Sequence, residues 1–201
     1  MVLENKLGIK NQLKLNRVEE WLSKMKIKDL YDSGEINCIE VGTSKGLSDI
    51  HKYLYEDIYF FAGKVRKVNI VNGNFRFAPV MYLSHSLEHI NTMLQTTFDE
   101  IIEKYVEMNI AHPFREGNSR ATRIWLDLIF KNEIQQVVDW NGIDKEDYLL
   151  AMELSPIKDI EIKHLLQNAL VDKINSREVF MKGIDISYYY EGYTEYDIED
   201  L

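Results

Sequence analysis

The chain has 201 residues, 45% of them hydrophobic, with 3 prolines and 10 glycines. This composition predicts one globular domain with a sizeable core and argues against long disordered linkers. The net charge of −9 argues against a protein that coats nucleic acid. No apolar run reaches the ~18 residues of a membrane span, and the single Cys38 suits a reducing compartment. We therefore expect a cytoplasmic protein that binds neither membrane nor nucleic acid directly.

The first half of the chain shows helical patterns on both sides of one β-hairpin. Apolar spacing predicts helices over about 17–31, over about 43–58 and over about 80–93. Between the last two, Asn72-Gly73 interrupts alternating apolar residues, which is the strongest short signal for a hairpin. We expect the hairpin to lean on the helices and to leave an edge that can pair with a partner's peptide. A surface hairpin without a function is the alternative.

The second half is also predicted to be helical. Thr97 and Glu100 form a capping box for a helix that continues to about residue 110. Its pattern, and that of the helix predicted over 119–130, places these two at the centre of the fold. Further helices are expected over about 144–154, 155–170 and 176–192, followed by a loose acidic tail.

The segment between the two central helices, residues 112–123, is dense in charged and polar groups. Buried charge is costly unless it is paired or binds something. The first N–H groups of the second helix are unpaired and lie at the positive end of its dipole, so they can bind an anion. Arg120 and Arg123 lie one helical turn apart, and their planar guanidinium groups suit phosphate oxygens.

Two more residues of this segment complete the parts of a phosphoryl- or nucleotidyl-transfer site. Glu116 offers a hard oxygen ligand, of the kind that Mg2+ takes when phosphates supply other ligands. His112 follows the first helix, and an imidazole can accept a proton from an attacking hydroxyl near neutral pH. A helix–loop–helix corner with a structural ion pair is the alternative.

The run His-Pro-Phe-Arg-Glu-Gly-Asn-Ser-Arg-Ala-Thr-Arg at 112–123 resembles the signature of the Fic family, H-x-F-x-[D/E]-G-N-[G/K]-R-x-x-R. Fic proteins usually transfer AMP from ATP to a hydroxyl group of a target protein. The resemblance implies that His112 is the general base, that Phe114 anchors the loop and that Glu116 binds Mg2+. It also implies that the residues around the phosphates are Gly117, Asn118, Ser119, Arg120 and Arg123, with Arg123 at the gamma-phosphate. Ser119 departs from the commonest pattern, which has glycine there, so weakened activity is one expectation.

The resemblance gives the hairpin, about 65–78, a function. In Fic proteins a flap at this place covers the active-site loop and positions the target segment. The candidates for target docking are therefore Asn72, Gly73, Asn74, Phe75, Arg76 and Phe77.

Ser187 and Glu191 lie one helical turn apart in the last predicted helix. On spacing alone, a frayed terminal helix with a solvated glutamate remains an alternative. The run Ser-Tyr-Tyr-Tyr-Glu-Gly resembles [S/T]-x-x-x-E-[G/N], the inhibitory motif of some Fic proteins. There the glutamate pairs with the second signature arginine, here Arg123, and competes with the gamma-phosphate. Tyr188 becomes a candidate for self-modification, with packing as the alternative.

The expected fold is mainly α, a single Fic-like domain over 1–201 with its core at about 42–174. The expected function is a protein adenylyltransferase that uses ATP and Mg2+, modifies Tyr, Thr or Ser hydroxyls and is autoinhibited by Glu191. The same site could instead remove AMP from a modified protein in a metal-dependent reaction. A catalytically weak nucleotide-binding regulatory module is the other alternative. The resemblance implies type II topoisomerase subunits as first candidate targets, and homo-oligomers are common among such proteins.

Overall fold

The computed structural model describes residues 2–72 and 75–201. Within these residues the chain forms eight α-helices and two antiparallel two-stranded sheets. The helices are α1 Gln12–Asp32, α2 Ser44–Tyr55, α3 Leu83–Thr92, α4 Phe98–Ala111, α5 Asn118–Glu133, α6 Lys145–Leu154, α7 Ile160–Asn168 and α8 Arg177–Tyr190. The strands are β1 Val71–Asn72, β2 Phe75–Arg76, β3 Val137–Val138 and β4 Leu170–Val171. The expected mainly α fold with one hairpin is confirmed.

Helices α4 and α5 lie at the centre of the fold. They pack against each other, while α2 packs on α5 and α3 packs on α4. The capping box of Thr97 and Glu100 opens α4 as predicted. Eleven of the sixteen residues of α5 are buried, among them Arg120 and Arg123. The charged segment that joins the two helices therefore leads directly into the core.

The hairpin pairs one residue further along than the sequence suggested. Val71 lies opposite Arg76 and Asn72 opposite Phe75, so the connection falls on residues 73–74, outside the described residues. Asn72-Gly73 is therefore not the central pair of the turn. Gly-Asn is also a favoured two-residue hairpin loop, so the sequence offered two registers. The hairpin is joined to α4 by the Ala78 N–H, which donates to the Ile110 carbonyl at 2.9 Å.

The C-terminal third differs from its prediction in three places. Helix α7 begins at Ile160, because the chain turns after α6 and the Ile157 N–H bonds back to the Leu154 carbonyl. The short sheet of β3 and β4 was not predicted. The tail is not loose: Ile198 is fully buried and its N–H donates to the Asp185 carboxylate. No helix in the described part of the chain is both long and apolar enough to cross a membrane.

Candidate active site

Backbone conformation shapes both ends of the signature loop, residues 112–123. His112 ends α4 in the left-handed region with φ +48°, and Gly117 precedes α5 with φ +73°. A Cβ atom at Gly117 would lie 2.5 Å from the ring of Tyr55. Only glycine therefore fits the start of α5, both for its φ angle and for its contact with Tyr55.

Asn118 ties the two halves of the loop together. Its Oδ1 accepts from the Phe114 N–H at 2.8 Å, and its Nδ2 donates to the Phe114 carbonyl at 2.8 Å. Phe114 is fully buried, as an anchor of the loop should be. Since both ends of the Asn118 side chain are used in this way, a phosphate contact of Asn118 would come through its backbone N–H.

His51 of α2 supports the same loop through hydrogen bonds at both of its ring nitrogens. Its Nδ1 accepts from the Gly63 N–H at 2.9 Å, and its Nε2 lies 2.8 Å from the Glu116 carbonyl oxygen. The neutral ring must therefore carry its proton on Nε2 and donate it to Glu116. The ring also stacks on Phe114 at 3.8 Å between centroids. Burial lowers the pKa of His51 to about 3, so it stays neutral. A lone histidine on an amphipathic helix carried no sequence signal of this role.

The ring of His112 is half-buried beneath the hairpin. It stacks on Phe77 with 3.6 Å between ring centroids and makes a hydrogen bond to the backbone of Asn109. Burial, and then the charge of Arg66, lower the pKa of His112 to about 3. The imidazole is therefore neutral at pH 7 and able to accept a proton.

Arg66 fastens the hairpin to the end of α4, a role that the sequence did not reveal. The side chain is buried, and its guanidinium group donates to four backbone carbonyls. These carbonyls belong to His112 at 2.7 Å, Val68 at 2.9 Å, Ala78 at 2.6 Å and Ala111 at 3.1 Å. Arg66 therefore helps to hold the hairpin over His112, together with the bond from Ala78 to Ile110.

Arg120 is fully buried and has a carboxylate at each of its three nitrogens. Its Nη1 lies 2.7 Å from Glu19, its Nη2 lies 3.2 Å from Glu116, and its Nε lies 2.9 Å from Glu191. The Nε contact meets the distance of an ion pair without the direction of a hydrogen bond. Burial alone would lower the pKa of Arg120, but the surrounding groups, with Glu191 foremost and then Tyr55 and Glu19, hold it well above its ordinary value. Glu19 lies 101 positions away in sequence and was not predicted.

Arg123 is bound mainly by Ser187. Its Nη1 donates to the Ser187 carbonyl at 3.1 Å and to the Ser187 Oγ at 2.6 Å. Glu191 Oε1 lies 3.8 Å from Arg123 Nη1, farther than its other oxygen lies from Arg120. Glu191 thus lies within ion-pair distance of Arg123, as expected, but its closer contact is with Arg120, which was not expected. Ser187 is one turn earlier on α8 and occupies the place beside Arg123.

Aromatic rings surround both arginines. The guanidinium carbon of each lies within 6 Å of three ring centroids, a distance at which cation–π attraction operates. The rings around Arg120 are Tyr55, Tyr188 and Tyr193, and those around Arg123 are Trp140, Tyr148 and Tyr190. Three of these six, Tyr188, Tyr190 and Tyr193, come from α8 and the segment after it, so the C-terminal part of the chain helps to enclose the arginine pair.

Tyr188 is a poor candidate for self-modification in this conformation. Its side chain is fully buried and its hydroxyl donates to Ser23 Oγ at 2.6 Å. Burial raises the pKa of Tyr188 to about 12. A buried, hydrogen-bonded phenol cannot attack a nucleotide unless α8 leaves its place.

Glu116 is the residue that fits a divalent cation. Its side chain is 38% exposed, and Oε1 accepts from the Gly117 N–H at 3.1 Å and from Arg120 at 3.2 Å. The second carboxylate oxygen takes part in neither bond. No group of three or more His, Cys, Asp or Glu side chains in the described ranges could hold a metal ion. One carboxylate beside an anion seat fits Mg2+ that takes its other ligands from phosphates and water.

The structure thus brings most of the predicted site residues together. The end of α4, the start of α5 and the end of α8 meet in one region, which contains His112, Glu116, Gly117, Asn118, Arg120, Arg123, Ser187 and Glu191. Ser119 is half-buried in the first turn of α5. Of the docking candidates, Arg76 is exposed and Phe77 covers His112, while Gly73 and Asn74 lie outside the described residues.

Comparison with known proteins gives consistent results. Residues 42–130 match the model of the Fic/DOC family. The chain is 25% identical over 188 residues to the "Probable protein adenylyltransferase Fic" of Escherichia coli, covering 88% of this chain and 91% of that protein. It is 28% identical over 199 residues to "Protein adenylyltransferase VbhT" of Bartonella schoenbuchensis, covering 92% of this chain but only 40% of that longer protein.

A solved structure shares the fold. The BepC protein of Bartonella tribocorum, crystallised with bound AMPPNP, superimposes with a TM-score of 0.70 at 18% identity. The match covers 85% of this chain and 93% of the BepC chain. At this identity the likeness establishes the fold alone.

Proposed function

We propose, from the premise that this chain carries a Fic/DOC family domain, that it is a protein adenylyltransferase held in an inhibited state by Glu191. The reaction would transfer AMP from ATP to a Tyr, Thr or Ser hydroxyl of a target protein. Relatives of similar sequence that are named as protein adenylyltransferases support the class of reaction. A relative of the same fold that binds AMPPNP supports the nucleotide.

His112 is the proposed base. The target hydroxyl oxygen would form a bond to the alpha-phosphorus, the bond from that phosphorus to the pyrophosphate oxygen would break, and His112 would accept the hydroxyl proton. With a pKa of about 3 the ring is neutral but weakly basic. Phosphate groups beside it would raise this pKa, because a nearby negative charge favours the protonated imidazole. The base would therefore become stronger when the nucleotide binds.

The start of α5 is the proposed phosphate site. The unpaired N–H groups of its first turn, together with Arg120 and Arg123, provide positive charge in a buried place. Glu116 would hold Mg2+, which neutralises phosphate charge when it is bound. In Fic proteins the flap positions the target segment, and here Phe77 on the ring of His112 supports the same role for the hairpin.

The observation that carries the inhibition is the position of Glu191. Its carboxylate lies 2.9 Å from Arg120 and 3.8 Å from Arg123, so it competes for both guanidinium groups with any triphosphate. A triphosphate that enters must displace this carboxylate or bind with its alpha-phosphate out of line with the attacking hydroxyl. Reacting atoms that are displaced by about 1 Å can cost on the order of a hundredfold in rate.

One observation favours a second candidate, the hydrolysis of AMP from a modified protein. Glu191 Oε1 is buried and has no hydrogen-bond partner. This oxygen could accept a proton from a water molecule that attacks the alpha-phosphorus. The bond from phosphorus to the target oxygen would then break and release AMP and the free hydroxyl.

The test compares the protein with Glu191→Gly in a labelling assay. Each is incubated with Mg2+, ATP labelled at the alpha-phosphate and a bacterial lysate, and labelled proteins are identified by mass. We expect at least a tenfold rise in labelling for Glu191→Gly, and type II topoisomerase subunits are the first bands to inspect. Glu195→Gly is the matched control, since Glu195 is a glutamate just after Glu191 in sequence that pairs instead with the exposed Arg17.

Two further arms separate the alternatives. His112→Ala in the Glu191→Gly background should abolish labelling, and unchanged labelling would remove His112 from the mechanism. AMP-modified target with Mg2+ and no ATP tests the hydrolysis, which should need Glu191. Nucleotide binding without turnover in every arm would leave the weak regulatory module as the better function.

A further inference from the structure

Four polar side chains on two successive turns of α1 are buried. Glu19, Glu20, Ser23 and Lys24 are each at most 2% exposed. Ions in such places are costly unless they are paired. Glu20 and Lys24 pair with each other at 3.1 Å, but Glu19 has its partners on other elements. The adenylyltransferase mechanism described above does not use Glu19.

Glu19 accepts hydrogen bonds from three directions. Arg120 Nη1 donates to Oε1 at 2.7 Å, and the Tyr193 hydroxyl donates to the same oxygen at 3.1 Å. The Tyr59 hydroxyl donates to Oε2. The carboxylate is therefore fixed between the residues after α2, the tail and α5. A buried carboxylate with this many hydrogen bonds has one orientation. Its bond to Arg120 Nη1 therefore fixes the orientation of the guanidinium group as well.

Glu191 contacts the same guanidinium group under different conditions. Its side chain is 21% exposed, against 2% for Glu19. One of its carboxylate oxygens has no hydrogen bond and only a 3.8 Å ion-pair contact with Arg123, and its contact with Arg120 Nε lacks hydrogen-bond direction. Of the two carboxylates, Glu191 is therefore the one that can leave Arg120, whereas Glu19 is fixed in the core.

We propose that Glu19 is a positioning residue for Arg120. When Glu191 withdraws, Glu19 keeps the Nη1 side of the guanidinium group fixed, so that the Nε edge faces the phosphates. It also leaves the buried arginine with a counter-ion in the active state. This inference rests on the proposed function, and it adds a residue of α1 to the active site.

The experiment is done in the Glu191→Gly background, where inhibition is relieved. Glu19→Ala should lower kcat for AMP transfer ten- to a hundredfold, with a smaller change in KM for ATP, because the alignment of the phosphates is lost. Glu19→Gln should recover part of that loss, since its amide oxygen still accepts from Arg120. Glu20→Ala is the matched control: it is equally buried on the same helix and pairs with Lys24, so it should lower stability without lowering kcat.

Two activity outcomes would overturn the proposal. One is a kcat of Glu19→Ala equal to that of its Glu191→Gly parent. The other is activation of the otherwise unchanged protein by Glu19→Ala alone, because Glu19 would then be a second inhibitory carboxylate.

A second readout does not depend on activity. The Nε–H signal of Arg120, assigned by its loss in Arg120→Lys, is followed by 15N NMR. Glu19→Ala should give this side chain fast internal motion, whereas Glu20→Ala should not, and a rigid Arg120 in Glu19→Ala would overturn the proposal. If Glu191→Gly shows no AMP transfer, the proposed function fails, and the NMR arm still decides whether Glu19 fixes Arg120.

Discussion

The two ends of the signature loop are held in place by different chemistry. At the histidine end, Arg66 binds four backbone carbonyls, and the neutral ring of His51 joins the loop to Gly63. At the arginine end, three carboxylates surround Arg120, and Ser187 binds Arg123. The bonds at the histidine end join buried groups of the fold to one another, whereas at the arginine end an anionic substrate would compete with the carboxylates for the guanidinium groups.

This difference indicates which end of the loop keeps a constant geometry and which end can be regulated. The histidine end should keep its shape whether or not a nucleotide is bound. On the proposed function, the arginine end would change partners if α8 moved, since Glu191 caps the end of that helix. Substitutions at the first end should therefore reduce stability and activity together, whereas substitutions on α8 should raise activity.

Gly117→Ala should have the largest effect. The new Cβ would lie 2.5 Å from Tyr55, at a φ of +73° that side chains other than glycine rarely adopt. We expect a loss of roughly 3 kcal/mol in the free energy of unfolding. AMP transfer should fall at least a hundredfold in the Glu191→Gly background, because the start of α5 moves.

Gly142→Ala is the matched control for this experiment. A Cβ at Gly142 would meet nothing within 4 Å, so stability and activity should stay close to those of the parent. Urea unfolding and the labelling assay measure both quantities. Full activity of Gly117→Ala would show that the loop tolerates a displacement that we expect to be disabling.

Arg66→Ala comes next. It would leave four carbonyls without their donor. Three of them belong to His112, to Ala111 at the end of α4 and to Ala78 after the hairpin. One buried carbonyl left unpaired costs about 1–3 kcal/mol. Water can enter the space that the side chain leaves and bind these carbonyls, so we expect a total loss within that range in the free energy of unfolding. Hydrogen exchange at the Ala78 amide, which bonds to Ile110, should become faster as the hairpin detaches.

The neighbouring exposed Lys67 provides the control, and Lys67→Ala should leave the exchange of Ala78 unchanged. Affinity for AMPPNP should change little in Arg66→Ala, since the phosphate site lies at the other end of the loop. A large loss of nucleotide affinity would mean that the two ends are coupled more tightly than their separate contacts indicate.

His51 predicts a pH dependence of stability. Its pKa is about 3 in the folded protein and 6.5 ordinarily, so the unfolded state binds more protons between these values. The stabilisation is complete above pH 6.5 and is lost as the pH falls towards 3. Between pH 7 and pH 5 the loss should be about 2 kcal/mol. His51→Gln, which keeps a donor and an acceptor, should remove this part of the acid sensitivity.

Asp127 contributes with the opposite sign, so only the difference between variants is informative. Burial raises its pKa from 3.8 to about 7, so the folded state gains a proton in the same range and becomes relatively more stable as the pH falls. This term cancels when His51→Gln is compared with its parent. The exposed His85 supplies the control, and His85→Gln should keep the parental pH profile.

The sequence predicted the elements that local patterns determine. The capping box of α4 and the helix predicted from about residue 144, which the structure has as α6, follow from a few neighbouring residues. His112, Arg120 and Arg123 were found for the same reason, because the signature is contiguous. The register of the hairpin was missed, since Asn-Gly and Gly-Asn overlap and both suit a two-residue turn.

What the sequence could not predict are contacts between distant segments. Glu19 and Arg120 are 101 positions apart, and Arg66 meets carbonyls up to 46 positions away. Polar residues interrupt the apolar stripe of α1. From the sequence alone, this pattern is typical of an exposed helix face. The expected pairing of Glu191 with Arg123 came from a motif, but the place of Ser187 on α8 puts the carboxylate nearer Arg120.

Ser187→Ala should have the smallest effect, and it tests the arginine end alone. Arg123 would lose the hydroxyl at 2.6 Å but keep the Ser187 carbonyl at 3.1 Å. One hydrogen bond to a charged group is worth about 1.5 kcal/mol, and not all of it is specific to the inhibited state. We expect basal AMP transfer to rise several-fold, well below the rise for Glu191→Gly. Ser187→Thr, which keeps the hydroxyl, should retain inhibition. If Ser187→Ala released as much activity as Glu191→Gly, the bond to Arg123 would be the main restraint and the contact of Glu191 with Arg120 a secondary one.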